Sequence, residues 1–289
     1  MKPIGTVGIL GCGTMGSGIA QVVATSGYST VVLEPEAELL KKGMARIEKG
    51  LSRAVEKGKL DISAKEQAWR RIRGVTQPEE MKECQLVVEA LPEELELKKA
   101  LLRQLDCLCP PSTLFATNTS SLAVTELAAS TARAEKVVGL HFFNPAPVME
   151  LVEIVSTPFT SQEALEAVQQ FVSSLGKTFI LAPDRSGFLV NRLLVPYLLD
   201  AISLLECGLA TAADIDRGMR LGCGHPRGPL ALSDHIGLDV LLQIAEVMFA
   251  EYRERRFAPP PLLRRLVRAG WLGKKTGRGF YDYSGGGES

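Results

Sequence analysis

The chain has 289 residues, with 33 Lys plus Arg against 33 Asp plus Glu, so its formal net charge is zero with His neutral. Hydrophobic residues make up 46% and charged residues 23%, the proportions of a globular chain rather than a disordered one. The even charge balance argues against a nucleic-acid partner, whose affinity comes from clustered excess Lys and Arg, and no apolar run reaches the ~18 residues needed to span a membrane.

On a prior of ~150 residues per domain, the length corresponds to about two domains. The first half alternates short β-rich runs with longer helical patterns, the signature of βαβ units on a parallel sheet. Strands are predicted at Ile4–Leu10, Ser29–Glu34, Gln85–Leu91, Thr113–Thr117, Lys136–His141 and Leu151–Ser156. These runs are almost continuously apolar, as strands covered by helices on both faces must be. Helices are predicted at Met15–Ser26, Glu36–Lys57, Ala64–Ile72 and Glu93–Leu108. One further unit follows, a helix over Ser161–Leu175 with Gly176 at its C-cap and a strand over Lys177–Leu181. The expected architecture is α/β, a Rossmann-type, mostly parallel sheet over residues 1–184. A smaller all-α domain over 185–289 is expected to follow.

After Ala182-Pro183-Asp184 the pattern is helical. Phe188–Glu206 is apolar nearly all round and is interrupted by Pro196, which should kink or break it. A helix without a polar face is buried in its own domain or against another subunit. Thr211–Arg220 and Leu238–Arg255 are amphipathic, and Gly285–Ser289 reads as a flexible tail. No charged leader with an apolar core and cleavage site begins the chain. The six cysteines are scattered, without a C-x-x-C pair or histidines at zinc-finger spacing, so no metal site is expected. The expectation is a cytoplasmic protein, or an organelle-matrix one if a leader has been removed.

Gly11-Cys12-Gly13-Thr14-Met15-Gly16 fits G-x-G-x-x-G between a predicted strand and helix, and a second predicted strand ends at Glu34, 18 residues after Gly16. Gly11 permits the tight turn, Gly13 lets the backbone approach a diphosphate, and Gly16 lets helix and strand pack closely. The helix start at Thr14 and Met15 offers N–H groups to phosphate. Glu34 can accept from both ribose hydroxyls and would repel a 2′-phosphate, so NAD is expected over NADP.

Three histidines are present. His225 lies among Gly and Pro residues, where a loop role is the simpler reading, and His235 falls at a turn or helix start. His141 ends a predicted strand, where side chains point into the ligand crevice of an open α/β sheet. Histidine is the residue type whose charge changes near neutral pH, which suits a general base. Glu153 interrupts the apolar run Leu151-Val152-Glu153-Ile154-Val155, and a buried carboxylate needs a partner. Twelve residues separate it from His141, enough to lay two strands side by side. An edge-strand Glu facing solvent is the plainer alternative. Asn191 is an amide in another apolar run, able to cap or cross-link structure or to bond a substrate oxygen. Thr117-Asn118-Thr119-Ser120-Ser121 follows a strand and is, by composition alone, a turn.

Taken together these segments resemble the L-3-hydroxyacyl-CoA dehydrogenase family in its short-chain, single-function form. The matching strings are Gly11–Gly16, Asn118–Ser121, His141-Phe142-Phe143-Asn144-Pro145, Gly187-Phe188-Leu189-Val190-Asn191-Arg192 and Gly273–Tyr281, in the family's order and spacing. The resemblance implies a reversible NAD-dependent oxidation of the 3-hydroxyl of an acyl-CoA, in fatty-acid β-oxidation or butanoate metabolism. It also implies a homodimer built through the second domain. It makes His141 the base and Glu153 the acid that orients it, with Ser120 and Asn191 around the reacting hydroxyl. Glu93, Lys98, Asn144 and Lys275 match cofactor-contacting positions, as Ser120 does, and Lys57 resembles a coenzyme A contact. Gly50 stands where the family often has a hydroxyl residue, and Glu34 replaces a commoner aspartate.

Two other enzyme readings stand beside it. A 3-hydroxyisobutyrate-type dehydrogenase would need a lysine four residues before Asn191, where Gly187 stands. An L-gulonate 3-dehydrogenase or lens-crystallin relative would lack the Phe142-Phe143 pair. The remaining alternative is an NAD-binding structural or sensor protein that has lost the chemistry, which fold alone never excludes.

Overall fold

The computed structural model describes residues 3–284; Met1 and Lys2, which open the stretch read as lacking a leader, and the glycine-rich tail 285–289 lie outside them. The chain divides into two units, one up to Asp184 and one from Arg185.

The first unit holds eight described strands: β1 (Thr6–Leu10), β2 (Ser29–Leu33), β3 (Ile72–Val75), β4 (Leu86–Glu89), β5 (Leu114–Thr117), β6 (Val137–Phe142), β7 (Leu151–Ser156) and β8 (Thr178–Pro183). Its helices are α1 (Thr14–Thr25), α2 (Ala37–Glu56), α3 (Ile62–Arg70), α4 (Leu95–Leu108), α5 (Val124–Ala128) and α6 (Gln162–Ser174). The strands form one sheet in the order β3-β2-β1-β4-β5-β6-β7-β8. Pairs from β3 through β6 are parallel, β6 and β7 run antiparallel, and β7 and β8 are parallel to each other.

In the central strands alternate residues serve opposite cores. In β4, Leu86 and Val88 join the cluster around Ile19, Val23 and Ile47, while Val87 joins the one around Leu102, Leu105 and Phe115. Burial on both faces is why the strands read as continuous apolar runs. The order reverses at β1, which has β2 on one side and β4 on the other, and this reversal opens the crevice where such sheets bind ligands.

Two elements differ from expectation. The helix predicted to Ile72 ends at Arg70, and Ile72–Val75 form the edge strand β3. Arg73 and Gly74 deprive that strand of an apolar signature. Helix α5 is five residues long, too short for a periodic pattern; Asp184 caps it, accepting from the Val124 and Thr125 amides at 3.0 and 2.6 Å.

The second unit comprises α7 (Val190–Glu206), α8 (Ala212–Cys223), α9 (Pro229–Ile236), α10 (Leu238–Tyr252) and α11 (Pro261–Arg268), with no named strand among the described residues. Pro196 does not end α7, which continues through it to Glu206. Helix α9 begins at Pro229, at the end of the Gly- and Pro-rich stretch around His225, and places His235 in its last turn rather than at a turn or helix start. Its start is fixed by Asp216 of α8, which accepts from the Leu230 and Ala231 amides at 2.8 and 2.9 Å. Asp234, also buried, accepts from the Phe280 and Tyr281 amides and ties in the C-terminal segment.

Candidate active site

The Gly-rich loop follows β1 at the sheet's reversal. Gly11 has φ +88°, a conformation open to glycine, and its amide bonds the Leu33 carbonyl at 2.8 Å. A side chain at Gly16 would place its Cβ 1.9 Å from the Gly11 carbonyl oxygen, so the close approach of α1 to the loop requires glycine. At Gly13, in contrast, an added Cβ would meet nothing within 4 Å. Gly13 is the N-cap of α1 and supplies no side-chain cap, leaving the first amides of the helix for an outside acceptor. This cradle fits the diphosphate of a dinucleotide. Glu34, one residue past β2, is half-buried, and its Oε2 accepts from the Cys12 amide at 3.2 Å. The adjacent Cys12 thiol is pushed up from its ordinary pKa, first by burial.

The second group lies where β6 meets β7. The antiparallel register sets His141 directly opposite Glu153, and Nδ1 lies 2.6 Å from Oε2. Glu153 is fully buried and His141 is 6% exposed, so the pair sits largely out of water, where a charge-assisted hydrogen bond is strong. The Phe143 ring packs on the imidazole with centroids 4.6 Å apart.

The loop after β5 carries Ser120. Asn118 joins it to β6 by accepting from the Phe142 amide through Oδ1 at 2.8 Å. Glu93 Oε1 accepts from the Ser120 amide at 2.8 Å and from the Thr119 hydroxyl at 2.7 Å. Lys98 has no exposed surface; its ammonium lies 3.0 Å from Glu93 Oε2 and 2.8 Å from Glu89 Oε1. Glu89 went unremarked in the sequence, although it ends the apolar run Leu86-Val87-Val88 much as Glu153 interrupts its own. Lys177 was likewise unmarked: its ammonium donates to the Ala146 and Met149 carbonyls at 2.7 and 2.6 Å and so holds the loop beyond Asn144. Burial lowers its pKa.

The other assigned residues are more dispersed. Asn144 is exposed at the start of the loop that leaves β6, and Lys57 is exposed at the C-cap of α2. Beside Gly50 on α2, a Cβ would lie 2.2 Å from Gln21 Oε1; the Gln21 amide occupies that space. Asn191 and Lys275 belong to the second unit. Asn191 is buried in the first turn of α7, and Lys275 pairs with Asp239 at 2.6 Å.

Residues 6–185 match the model of the 3-hydroxyacyl-CoA dehydrogenase NAD binding domain, and residues 187–283 match that of the 3-hydroxyacyl-CoA dehydrogenase C-terminal domain. The chain is 46% identical over 279 residues to the 3-hydroxybutyryl-CoA dehydrogenase of Mycobacterium tuberculosis, covering 96% of this chain and 98% of that one. It is 42% identical to the mitochondrial hydroxyacyl-coenzyme A dehydrogenase of Sus scrofa, covering 96% and 90%. The crystal structure of (S)-3-hydroxybutyryl-CoA dehydrogenase PaaH1 from Ralstonia eutropha superposes with a TM-score of 0.93 at 44% identity, covering 97% and 99%. The chain therefore belongs to the 3-hydroxyacyl-CoA dehydrogenase family.

Proposed function

We propose that this protein interconverts L-3-hydroxyacyl-CoA and 3-ketoacyl-CoA with NAD, and that His141 is its general base. The observation that carries this reading is the His141–Glu153 pair at the end of β6. With Glu153 ionised, the ring proton sits on Nδ1 and is donated to Oε2, which leaves the lone pair on Nε2. His141 Nε2 takes the proton of the 3-hydroxyl, and Glu153 stabilises the imidazolium that forms. In the reverse direction the imidazolium returns that proton to the forming alkoxide. Ser120 donates to the reacting oxygen and orients it. Asn191, in the second unit, is assigned to the same oxygen by the family resemblance.

Gly11, Gly13, Thr14, Met15 and Gly16 would hold the diphosphate of NAD, with Glu34 on the ribose and Glu93, Asn144 and Lys275 as further contacts. Bound there, NAD supplies the hydride acceptor. Lys98, without exposed surface, acts on that site through Glu93. Lys57 is assigned to the anionic carrier of the substrate, coenzyme A. The relatives named for 3-hydroxybutyryl-CoA make a four-carbon acyl group the first substrate to try. We further propose a homodimer through the helical unit, supported by the exposure of Leu193 and Leu204 on α7, Leu209 beyond it and Leu221 on α8.

The test is NADH oxidation with acetoacetyl-CoA by wild type and His141→Gln. Wild type should turn over, and the variant should lose ~10²–10⁴ in kcat while still binding NADH. A variant with wild-type kcat overturns the assignment of the base. An inert wild type that binds NADH tightly favours the sensor reading instead. Sedimentation as a monomer at micromolar concentration overturns the dimer.

A further inference from the structure

Behind the Ser120 loop lies a buried set of charges that the proton transfer does not use. Glu89, the last residue of β4, has no exposed surface, and each of its oxygens is occupied. Oε1 accepts from the Leu91 amide at 2.6 Å and from Lys98 Nζ at 2.8 Å. Oε2 accepts from the Thr117 hydroxyl at 2.5 Å and from the same ammonium at 3.1 Å. Lys98, from the first turns of α4, is equally buried and stands between Glu89 and Glu93. Glu93 in turn receives the Thr119 hydroxyl and the Ser120 amide, and Thr119 Oγ1 accepts from the Ser121 and Leu122 amides at 3.2 and 2.9 Å.

We infer that Glu89 is a positioning residue for the reaction, setting the place of Ser120 through Lys98 and Glu93. The inference rests on the proposed role of Ser120 at the reacting oxygen. Two carboxylates share one ammonium, with Glu89 and Lys98 wholly buried and Glu93 at the partly exposed end, and unmet polar groups in a buried site are costly. Three of its bonds tie β4 and the loop after it to the end of β5 and the loop beyond: Thr117 to Glu89, and Thr119 and Ser120 to Glu93. Were strand cohesion its only purpose, apolar residues would serve as well, because buried ion pairs add little net stability over packed hydrophobes. What the charges add is direction: a fixed acceptor beneath the Ser120 amide. Catalytic geometry must be held to within about half an ångström, which is the task of such supporting contacts.

Glu89→Gln preserves shape and removes the charge. One amide oxygen cannot serve the Leu91 amide, the Thr117 hydroxyl and the ammonium together, and Lys98 is left to Glu93 alone. Glu93 then shifts from beneath Ser120. The same donors are disturbed more gently by Thr117→Val, which removes one hydrogen bond and keeps the bulk.

The experiment measures kcat and KM for the reduction of acetoacetyl-CoA by NADH, together with the melting temperature, for Glu89→Gln, Thr117→Val, Ser120→Ala and the doubles with Ser120→Ala. Glu89→Gln should lower kcat at least about tenfold and Thr117→Val about threefold, with KM for acetoacetyl-CoA changed less than about threefold. Neither substitution should lower kcat further in the Ser120→Ala background, because residues acting through one group are non-additive. A lower melting temperature with wild-type kcat overturns the inference, as does a full, independent loss of kcat in the Ser120→Ala background. If Glu89→Gln does not fold, the Thr117→Val pair decides by the same criterion. A wild type inert toward acetoacetyl-CoA, or a fully active Ser120→Ala, overturns the functional reading and the relay with it; an active wild type and an impaired Ser120→Ala beside an indifferent Glu89→Gln overturn the relay alone.

Discussion

His141 and Glu153 are direct cross-strand partners at the one antiparallel junction among the described strands, with Nδ1 and Oε2 2.6 Å apart. Glu153→Gln keeps the shape of the pair and reverses its donors. The new amide can donate to Nδ1, which drives the ring proton to Nε2 and removes the lone pair that serves the hydroxyl. The expected outcome is a fall in kcat of ~10²–10⁴ in both directions, with KM for the acyl-CoA held within a few-fold. Steady-state kinetics with acetoacetyl-CoA and with L-3-hydroxybutyryl-CoA measure it, and a kcat within about twofold of wild type would remove Glu153 from the proton path.

Much of this geometry is legible in the chain itself. Glu153 and Asn191 stand out because each is a polar group inside an apolar segment. The antiparallel turn forms no part of the expectation, although residues 143–150 between β6 and β7 are fewer than the dozen or so that a parallel crossover needs. What escapes is pairing between distant positions. Glu89 meets Thr117, 28 residues away, and Lys177 meets Ala146, 31 residues away, and neither separation carries a periodic signal. Helix α9 is hidden for the same reason, since its cap is Asp216, fourteen residues before Leu230. Strand β3 is hidden by its own composition, because an edge strand with Arg73 and Gly74 needs little burial.

Cofactor choice is expected to rest on the charge of Glu34. Glu34→Gln keeps an oxygen for the Cys12 amide, 3.2 Å away, and deletes the repulsion toward a 2′-phosphate. Like unit charges about 4 Å apart, partly exposed to solvent, repel by roughly 1–2 kcal/mol, or about 5- to 30-fold. The ratio of kcat/KM for NADH over NADPH should drop by that factor, mainly through a gain with NADPH. An unchanged ratio would assign the preference to other contacts.

The thiols should divide by burial. Cys107, Cys207 and Cys223 are exposed, whereas Cys12, Cys84 and Cys109 are buried. Burial first of all pushes Cys84 up to about 12 and Cys109 to about 11 from the ordinary 9.0. A raised thiol pKa keeps the unreactive protonated form, so near pH 8 Cys84 presents about a thousandfold less thiolate than an ordinary cysteine. With a chromogenic disulfide reagent the native protein should release three equivalents quickly, and all six after guanidinium unfolding. Raising the pH toward 9 should speed the first class and leave the second governed by unfolding. Four or more fast thiols in the native protein would contradict the burial of Cys12, Cys84 or Cys109.

Gly13 and Gly16 separate ligand binding from folding within one motif. Gly16→Ala places a Cβ 1.9 Å from the Gly11 carbonyl oxygen, so α1 or the loop must move. The up to ~1 kcal/mol that alanine gains over glycine in a helix cannot offset a backbone clash of that depth. A fall in melting temperature and a loss of NADH binding should therefore appear together. Gly13→Ala meets nothing within 4 Å, and its φ of −70° suits any residue. The protein should keep its melting temperature to within about 2 °C, while the new methyl occupies space that a diphosphate needs on its approach to the backbone. NADH affinity, read by fluorescence titration, should fall at least about tenfold, roughly 1.4 kcal/mol. Undiminished affinity in Gly13→Ala would mean that the dinucleotide does not lie against this loop, since no other consequence of that methyl is available to hide the effect.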